Sequence, residues 1–160
     1  MIRAFQKGDE IAICSIYNYF VENTHHTFET KSVDSKEMLS RIKTILTNYP
    51  FIVVEIEGEI VAYAYATRWK SRQAYDQTVE STIYIKSGHQ GSGLGTILYA
   101  ELINQLKQLN IHCVLGGISL PNNASISLHK KLGFKSSGVL KEVGYKFGNW
   151  IDVGYWALHF

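Results

Sequence analysis

Between a strand-like segment and a segment with helical periodicity, the chain reads Lys86-Ser87-Gly88-His89-Gln90-Gly91-Ser92-Gly93-Leu94-Gly95-Thr96. Glycine occupies every second position in the later half of this stretch, so the turn carries little side-chain bulk. The backbone N–H groups of such a turn can converge on an anion where the following helix begins. The stretch therefore predicts a phosphate-binding loop between a β-strand and an α-helix.

Two widespread phosphate-binding motifs differ from this loop. A P-loop has a Lys followed by Ser or Thr after its last glycine, and Leu94, Gly95 and Thr96 stand here instead. A dinucleotide fingerprint has its third glycine three positions after the second, where this chain has Thr96. It also has a carboxylate about 20 residues later, and residues 112–116 have none. A plain glycine-rich connection without a ligand is the remaining alternative.

Length and composition favour one globular domain. A chain of 160 residues can bury roughly 70% of its unfolded surface in one core, so we expect a single domain over residues 1–160. The net charge of +2 does not favour nucleic acid as a partner. No apolar stretch has the length of a signal or membrane segment, which predicts a cytoplasmic protein without a membrane partner. Cys14 and Cys113 are predicted core residues, not metal ligands.

The periodicity of apolar residues predicts helices and strands in the order βααβββαβαββ. The first two helices begin after caps near Gly8 and at Ser35, and the second ends before Pro50. The last, short helix is expected to begin after an N-cap at Asn123. This order predicts a mixed α/β (α+β) fold with a central sheet flanked by helices, instead of a regular βαβ array.

The strand before the glycine loop carries one carboxylate. Alternation puts Val79 and Ile83 on the predicted core face and Glu80 on the opposite face, near the phosphate loop. β-Propensity disfavours Glu in the middle of a strand, so Glu80 requires a specific role. One role is a general base that takes a proton from a nucleophile bound beside the loop. The alternative is an ion pair with Arg68 or Arg72.

Six stretches spread over nearly the whole chain are similar to sequence motifs of one enzyme family. The glycine loop, Gln90-Gly91-Ser92-Gly93-Leu94-Gly95, is similar to the Gln/Arg-x-x-Gly-x-Gly/Ala loop of GNAT-type acetyltransferases. The other five are Thr27-Phe28-Glu29-Thr30, Arg72-x-Ala74-Tyr75-Asp76-x-Thr78-Val79-Glu80-Ser81-Thr82, Asn122-x-Ala124-Ser125, Leu128-His129-x-x-Leu132-Gly133-Phe134 and Gly144-Tyr145-Lys146-x-Gly148-x-Trp150-x-Asp152-Val153-Gly154. Together they resemble the phosphinothricin N-acetyltransferase family of the GNAT superfamily.

The resemblance implies a GNAT fold, with a mixed, mostly antiparallel sheet that is splayed in the middle to admit the pantetheine of acetyl-CoA. It implies that Glu80 is the base for an amine that attacks the thioester. The residues implied to bind acetyl-CoA are Ile83, Tyr84 and Ile85 along the acetyl-pantetheine arm, Gln90, Gly91, Ser92, Gly93, Leu94, Gly95 and Thr96 around the pyrophosphate, and Asn122 and Ser125 near the pantetheine.

Acyl transfer also requires a donor for the developing oxyanion and a proton for the departing thiolate. We expect the oxyanion donor to be a backbone N–H at the Tyr84-Ile85 end of the strand. His129 is the predicted acid, because it follows Asn122 inside the short helix expected beside the cofactor. A structural role for this helix histidine is the alternative.

The same resemblance implies an amino-acid pocket formed by Phe28, Tyr65, Lys70, Arg72, Gln73, Ala74, Tyr75 and Thr82. Lys70 and Arg72 can bind a carboxylate and a phosphinate, and the alternative for both is a solvated loop. The chain departs from the family at Gln77, where an aromatic residue is frequent, and at Arg68, where proline is usual. The rim of the pocket is therefore expected to differ.

The predicted function is transfer of acetyl from acetyl-CoA to the α-amine of a small amino acid or analogue, without a metal. Phosphinothricin, methionine sulfoximine and methionine sulfone are the implied acceptors, and herbicide resistance is an implied consequence. The resemblance also implies a homodimer, with Tyr155, Trp156 and Phe160 as a suggested surface. The alternatives are acetylation of protein N-termini or lysines, and a non-catalytic acyl-CoA sensor.

Overall fold

The computed structural model describes residues 1–160, and its strands form one seven-stranded sheet. The elements are β1 (Ile2–Ala4), α1 (Asp9–Asn23), α2 (Ser35–Leu46), β2 (Phe51–Ile56), β3 (Glu59–Arg68), a 3₁₀ turn (Gln73–Tyr75), β4 (Thr78–Ile85), α3 (Leu94–Gln108), β5 (Cys113–Ser119), α4 (Asn123–Lys131), β6 (Lys135–Lys146) and β7 (Asn149–His159). This is the predicted order, and the predicted mixed α/β fold is confirmed.

The middle of the sheet is where its strands separate. The strand order is β1-β2-β3-β4-β5-β7-β6, and every neighbouring pair is antiparallel except β4 and β5. These two strands pair only between Thr78–Glu80 and Cys113–Leu115. Beyond Glu80, β4 stays paired with β3, and beyond Leu115, β5 stays paired with β7. A gap lined by unpaired backbone therefore opens in the sheet just past Glu80.

The sheet is covered by helices on both faces. On one face, the small side chains of Ala62, Ala64 and Ala66 lie in a fully buried core with α3. On the other face, Tyr63 packs with α1 and α2. The alternation of small and aromatic residues along β3 thus matches a strand buried on both sides. No helix is both long and apolar enough to span a bilayer.

Two predicted helix caps are off by one residue. Asn122, not Asn123, is the N-cap of α4, because its side chain accepts a hydrogen bond from the Ser125 N–H. Asp34, not Ser35, is the N-cap of α2 and accepts from the Glu37 N–H. In both cases, the residue with the side-chain acceptor lies outside the helical backbone geometry and satisfies an N–H of the first turn.

The aromatic C-terminal strand is an interior strand, contrary to its suggested role as a dimer surface. β7 pairs with β5 on one side and β6 on the other. Trp156 is only 6% exposed and belongs to the core under α3, and Tyr155 and Phe160 are partly buried. Six of the exposed large apolar side chains are clustered in the β6–β7 hairpin, namely Val139, Leu140, Val143, Tyr145, Phe147 and Trp150.

Candidate active site

A cavity of about 700 Å³ opens at the gap between β4 and β5. It is bounded by β4, the glycine loop, the end of β5, the first turns of α4, and the end of α1 with the residues after it. The structure brings a large part of the predicted site residues to its wall, namely Tyr65, Glu80, Thr82, Ile83, Tyr84, Ile85, Gln90, Gly91, Gly93, Gly95, Thr96, Asn122, Ser125 and His129.

The glycine loop forms one end of this cleft. Gly88, Gly91 and Gly93 have φ values of 89°, 78° and 85°, which other L-residues rarely adopt, and Gly93 is the N-cap of α3. No heavy atom lies within 4 Å of a Cβ built at these positions, so backbone conformation, not crowding, requires glycine there. The first N–H groups of a helix have no partner within it, and those of α3 start at this loop.

Two loop residues do not line the cleft, although they were predicted to bind the cofactor. Ser92 turns its hydroxyl back to donate to the His89 carbonyl at 2.7 Å, and Leu94 packs against the hydrophobic core. Gly95 has a third role, because a Cβ there would lie 3.0 Å from Ile85 Cδ1. It allows α3 to approach β4 closely, which holds the loop against the open edge of that strand.

Glu80 lies in the cleft without a charged partner. No hydrogen bond or salt bridge reaches its carboxylate, and Arg68 pairs with Asp76 instead. The alternative role in an ion pair with Arg68 or Arg72 is therefore not realised in the fold. Burial raises the pKa of the Glu80 carboxyl above its ordinary value. A carboxylate whose pKa is raised toward neutrality holds a transferred proton more readily than an exposed one.

His129 is 4% exposed, and both of its ring nitrogens have hydrogen-bond partners. Nδ1 donates to the Ser125 carbonyl at 2.8 Å, and Nε2 lies 3.0 Å from the Tyr99 hydroxyl. The Tyr99 hydroxyl in turn lies 2.5 Å from Ser81 Oγ. Burial lowers the pKa of the imidazole, and the bond to Ser125 partly offsets this effect.

Two adjacent glycines of β5 let these two titratable groups approach the strand from opposite faces. A Cβ at Gly116 would overlap the His129 ring, whereas a Cβ at Gly117 would lie 2.8 Å from Glu80 Oε1. Successive residues of a strand point to opposite faces, which explains the arrangement. Neither glycine was among the predicted site residues, although glycine within a strand often marks a close approach.

The far wall of the cleft is aromatic. Tyr17 and Phe20 of α1 lie against Tyr84, with ring centroids 5.5 Å and 4.9 Å away. His26 and Thr27 complete this wall, and Lys146 of β6 fixes the segment by donating to the Thr27 carbonyl at 2.8 Å. The side chains from α1 and from residues 26–27 were not among the predicted site residues, because only the packing of α1 against the sheet brings them to β4.

The remaining predicted acceptor residues lie outside the cleft. Lys70, Arg72 and Tyr75 line a separate cavity of about 430 Å³ with Ser71. Lys70 Nζ lies over the Trp69 ring, 4.6 Å from its centroid. Gln73 and Ala74 are exposed in the 3₁₀ turn. Phe28 is 38% exposed and packs against Gly144.

Comparison with known proteins gives consistent matches along the chain. The model of the acetyltransferase (GNAT) domain matches residues 2–154. Phosphinothricin N-acetyltransferase of Streptomyces viridochromogenes is 39% identical over 159 residues, which are 99% of this chain and 87% of that protein. L-methionine sulfoximine/L-methionine sulfone acetyltransferase of Salmonella typhimurium is 36% identical over 98% of this chain and 92% of its own length.

Solved structures agree with these matches. A putative acetyltransferase from Salmonella typhimurium with its cofactor acetyl-CoA superposes with a TM-score of 0.97 at 36% identity, covering 99% of this chain and 92% of the other. A ribosomal-protein-alanine N-acetyltransferase from Brucella melitensis superposes with a TM-score of 0.98 at 33% identity, covering 100% of this chain and 99% of the other.

Proposed function

This chain belongs to the GNAT family of acetyltransferases, and from that premise we propose that its acceptor is the α-amine of a small amino acid or amino-acid analogue. The chain is an N-acetyltransferase that uses acetyl-CoA. Phosphinothricin, methionine sulfoximine and methionine sulfone are the proposed acceptors, because relatives at 39% and 36% identity are named for them. The observation that supports this proposal most strongly is the unpaired Glu80 carboxylate at the gap between β4 and β5, beside the glycine loop.

The residues around the gap fit acetyl-CoA, which when bound supplies an activated acetyl thioester. The side-chain-free turn at Gly91 and Gly93 and the first N–H groups of α3 would hold the pyrophosphate. The unpaired edge of β4 from Ile83 to Ile85 would bind the amide groups of the pantetheine arm. Asn122 uses its side-chain oxygen to cap α4, so its amide NH₂ is the group left for the pantetheine.

Two of the chain's side chains are proposed to move protons during the reaction. Glu80 accepts the proton that the amine loses as the new C–N bond forms. His129 supplies the proton that the thiolate sulfur takes up as the C–S bond breaks. Backbone N–H groups near Tyr84 and Ile85, on the unpaired edge of β4, stabilise the negative charge that develops on the carbonyl oxygen.

The acceptor is proposed to lie between Glu80 and the aromatic wall. Tyr65 and Thr82 face this part of the cleft, and the rings of Tyr17 and Tyr84 would enclose the methyl-bearing end of the acceptor. Lys70 and Arg72 have no carboxylate partner in the chain and are proposed to bind the acidic groups of the acceptor. Because they line the neighbouring cavity, this role requires the loop of residues 69–77 to move toward Glu80.

We also propose that the protein is a homodimer, joined through the β6–β7 hairpin. Leu140, Val143, Tyr145 and Trp150 are between 51% and 63% exposed on this hairpin, which is a large apolar fraction for a free surface. β6 is moreover an edge strand of the sheet with unpaired backbone groups. Light scattering after size exclusion is expected to give twice the 18.1 kDa of one chain.

The cytoplasm is the proposed site of the reaction, because acetyl-CoA is a cytoplasmic metabolite. Cell fractionation followed by detection of the tagged protein tests this placement. Recovery of the protein in the membrane or the extracellular fraction would contradict it.

A thiol-release assay with acetyl-CoA tests the proposed acceptors. Phosphinothricin, methionine sulfoximine and methionine sulfone are expected to release CoA faster than unmodified amino acids do. A basic peptide and a peptide with an N-terminal alanine serve as comparisons, the latter because of the ribosomal-protein-alanine enzyme with the same fold. Faster release with either peptide would contradict the small-molecule proposal. If none of the tested acceptors causes release of CoA, the acyl-CoA sensor is favoured.

If phosphinothricin is an acceptor, herbicide resistance follows as a consequence. Expression of the chain in a phosphinothricin-sensitive host is expected to raise the dose of phosphinothricin that the host tolerates. Expression of the Glu80→Gln variant is expected to leave that dose unchanged. Equal sensitivity of hosts with and without the intact chain would show that phosphinothricin is not acetylated at a useful rate.

A further inference from the structure

A chain of four hydrogen bonds runs through the core beside the cleft and begins and ends at a backbone carbonyl. Ser81 Oγ lies 3.0 Å from the Leu115 carbonyl and 2.5 Å from the Tyr99 hydroxyl. Tyr99 lies 3.0 Å from His129 Nε2, and His129 Nδ1 lies 2.8 Å from the Ser125 carbonyl. Tyr99 is fully buried, and Ser81 and His129 are 7% and 4% exposed.

The number of hydrogens in this chain depends on the charge of His129. Both terminal carbonyls can only accept, so filling all four bonds requires four hydrogens. The hydroxyls of Ser81 and Tyr99 provide two, and the imidazole ring provides one when neutral and two when protonated. Neutral His129 therefore leaves one of the four bonds unfilled, whereas protonated His129 fills all of them.

The two hydroxyls can point either way along the chain without movement of heavy atoms. When His129 Nε2 carries no hydrogen, Tyr99 donates to it and Ser81 donates to Tyr99, so the bond to the Leu115 carbonyl is empty. When Nε2 carries a hydrogen, it donates to Tyr99, Tyr99 donates to Ser81, and Ser81 donates to Leu115. In every protonation state of His129, therefore, at most one of the four buried hydrogen bonds is not formed.

No charged side chain contacts the His129 ring. Tyr99 of α3 and Phe134 pack against it, and β5 contributes only the backbone at Gly116. Tyr99 is the one titratable side chain in contact with the ring, and burial raises its pKa far above neutrality. Lys130 and Lys131 follow His129 on its own helix, and Glu80 acts on Tyr99 from β4.

From this geometry we propose that Tyr99 and Ser81 are positioning residues that allow the buried His129 to gain and lose a proton by reversing their hydroxyl groups. The role of His129 as proton donor rests on the proposed acetyl transfer, whereas the reversal does not.

A histidine titration by NMR tests the proposal without any substrate. The His129→Gln spectrum assigns the ring signals of His129 among the six histidines of the chain. Tyr99→Phe keeps the aromatic ring for packing but removes the acceptor for Nε2–H. We expect this variant to bind the His129 proton about tenfold more weakly, or weaker still, which is the effect of losing one hydrogen bond to a charged group. Ser81→Ala is expected to lower the affinity less, because Tyr99 can still accept.

The matched control is Tyr145→Phe, which removes a hydroxyl from a tyrosine that is 56% exposed on β6. It should leave the His129 titration unchanged. A His129 titration in folded Tyr99→Phe that equals that of the unmodified chain would overturn the proposal, and so would an unchanged titration in Ser81→Ala if Tyr99→Phe does not fold.

The pH dependence of kcat separates this proposal from the proposed function. An acid must be protonated to act, so the rate falls as pH rises through the pKa of His129. In Tyr99→Phe, this falling limb should move to lower pH, and in Tyr145→Phe it should not. A shifted NMR titration with an unshifted rate limb would support the hydroxyl reversal and contradict the role of His129 as donor.

Discussion

At the scale of single residues, Glu80 is expected to lower the stability of the fold while serving its proposed role as the general base. Its carboxylate is half-buried without a hydrogen-bond or salt-bridge partner, and this partial burial raises its pKa. A carboxyl whose pKa is higher in the folded than in the unfolded state binds a proton more tightly when folded. Its contribution to stability is present at low pH and is lost as pH rises through the raised folded-state pKa. Ionisation of Glu80, which its proposed role as base requires, is therefore expected to destabilise the fold.

Replacement of Glu80 should separate these two effects. Glu80→Gln is expected to reduce kcat/KM about 100-fold or more, because a general base is removed. The same change should raise the melting temperature at neutral pH, since an amide carries no charge to bury. Thiol release and thermal unfolding measure the two quantities. Unaltered turnover would remove Glu80 from the mechanism.

The raised pKa of Glu80 also predicts how activity depends on pH. The base acts only when it is deprotonated, so the rate rises with pH through the pKa of Glu80, above the range of an ordinary carboxyl. This rising limb should be visible in kcat/KM for a saturating acetyl-CoA concentration. If the limb persists unchanged in the residual activity of Glu80→Gln, another group is responsible for it.

Gly117 is predicted to position this carboxylate by leaving room for it. A Cβ at this residue would lie 2.8 Å from Glu80 Oε1 and 3.3 Å from the Tyr155 ring. Gly117→Ala should therefore displace the Glu80 carboxylate and lower kcat more than it lowers acetyl-CoA affinity. Calorimetric titration of acetyl-CoA alongside thiol release distinguishes the two. An equal loss in both would indicate a general collapse of the cleft instead.

At the scale of an element, the junction of the glycine loop with α3 is the proposed binding site for the pyrophosphate of acetyl-CoA. Gly93→Ala forces an alanine into a left-handed conformation, at φ 85°, and is expected to cost about 1–2 kcal/mol of stability. Gly148→Ala is the matched control, because Gly148 has a φ of 75°, equally free space around it, and a position in the β6–β7 turn. Both variants should lose similar stability, and only Gly93→Ala should weaken acetyl-CoA binding. If the two variants bind acetyl-CoA with equal affinity, the proposed binding of the pyrophosphate by the glycine loop is wrong.

At the scale of the whole molecule, the β6–β7 hairpin relates the site to the proposed dimer. Lys146 of β6 holds Thr27 at the cleft, and Phe28 packs on Gly144 of the same strand. A partner that covers the hairpin would therefore also cover one border of the acceptor pocket.

A charged residue in the hairpin should separate the proposed dimer. Trp150 is 63% exposed, and Trp150→Asp is expected to give a monomer in light scattering, because a carboxylate would be buried in an apolar interface. Ile97→Asp changes a residue of α3 that is 61% exposed and should leave the mass of the protein unchanged. If the intact chain is a monomer at micromolar concentration, the dimer proposal is wrong.

The sequence by itself determined the features that depend on local spacing. Alternation along residues 78–85 identified the face of Glu80, and the glycine spacing after Gln90 located the loop before α3. Both are periodic or steric properties of a short stretch, which do not require knowledge of distant residues. The element order and the fold class followed from the same local patterns.

Only the tertiary structure decided which distant residues meet. Ser81, Tyr99 and His129 are separated by 18 and 30 residues along the chain and form one hydrogen-bonded chain because α3 and α4 pack on the same face of the sheet. The same long-range packing brings Tyr17 to Tyr84 and leaves Lys70 and Arg72 in a neighbouring cavity. Strand order and helix packing arise from the summed burial of the whole core, so no short stretch encodes them.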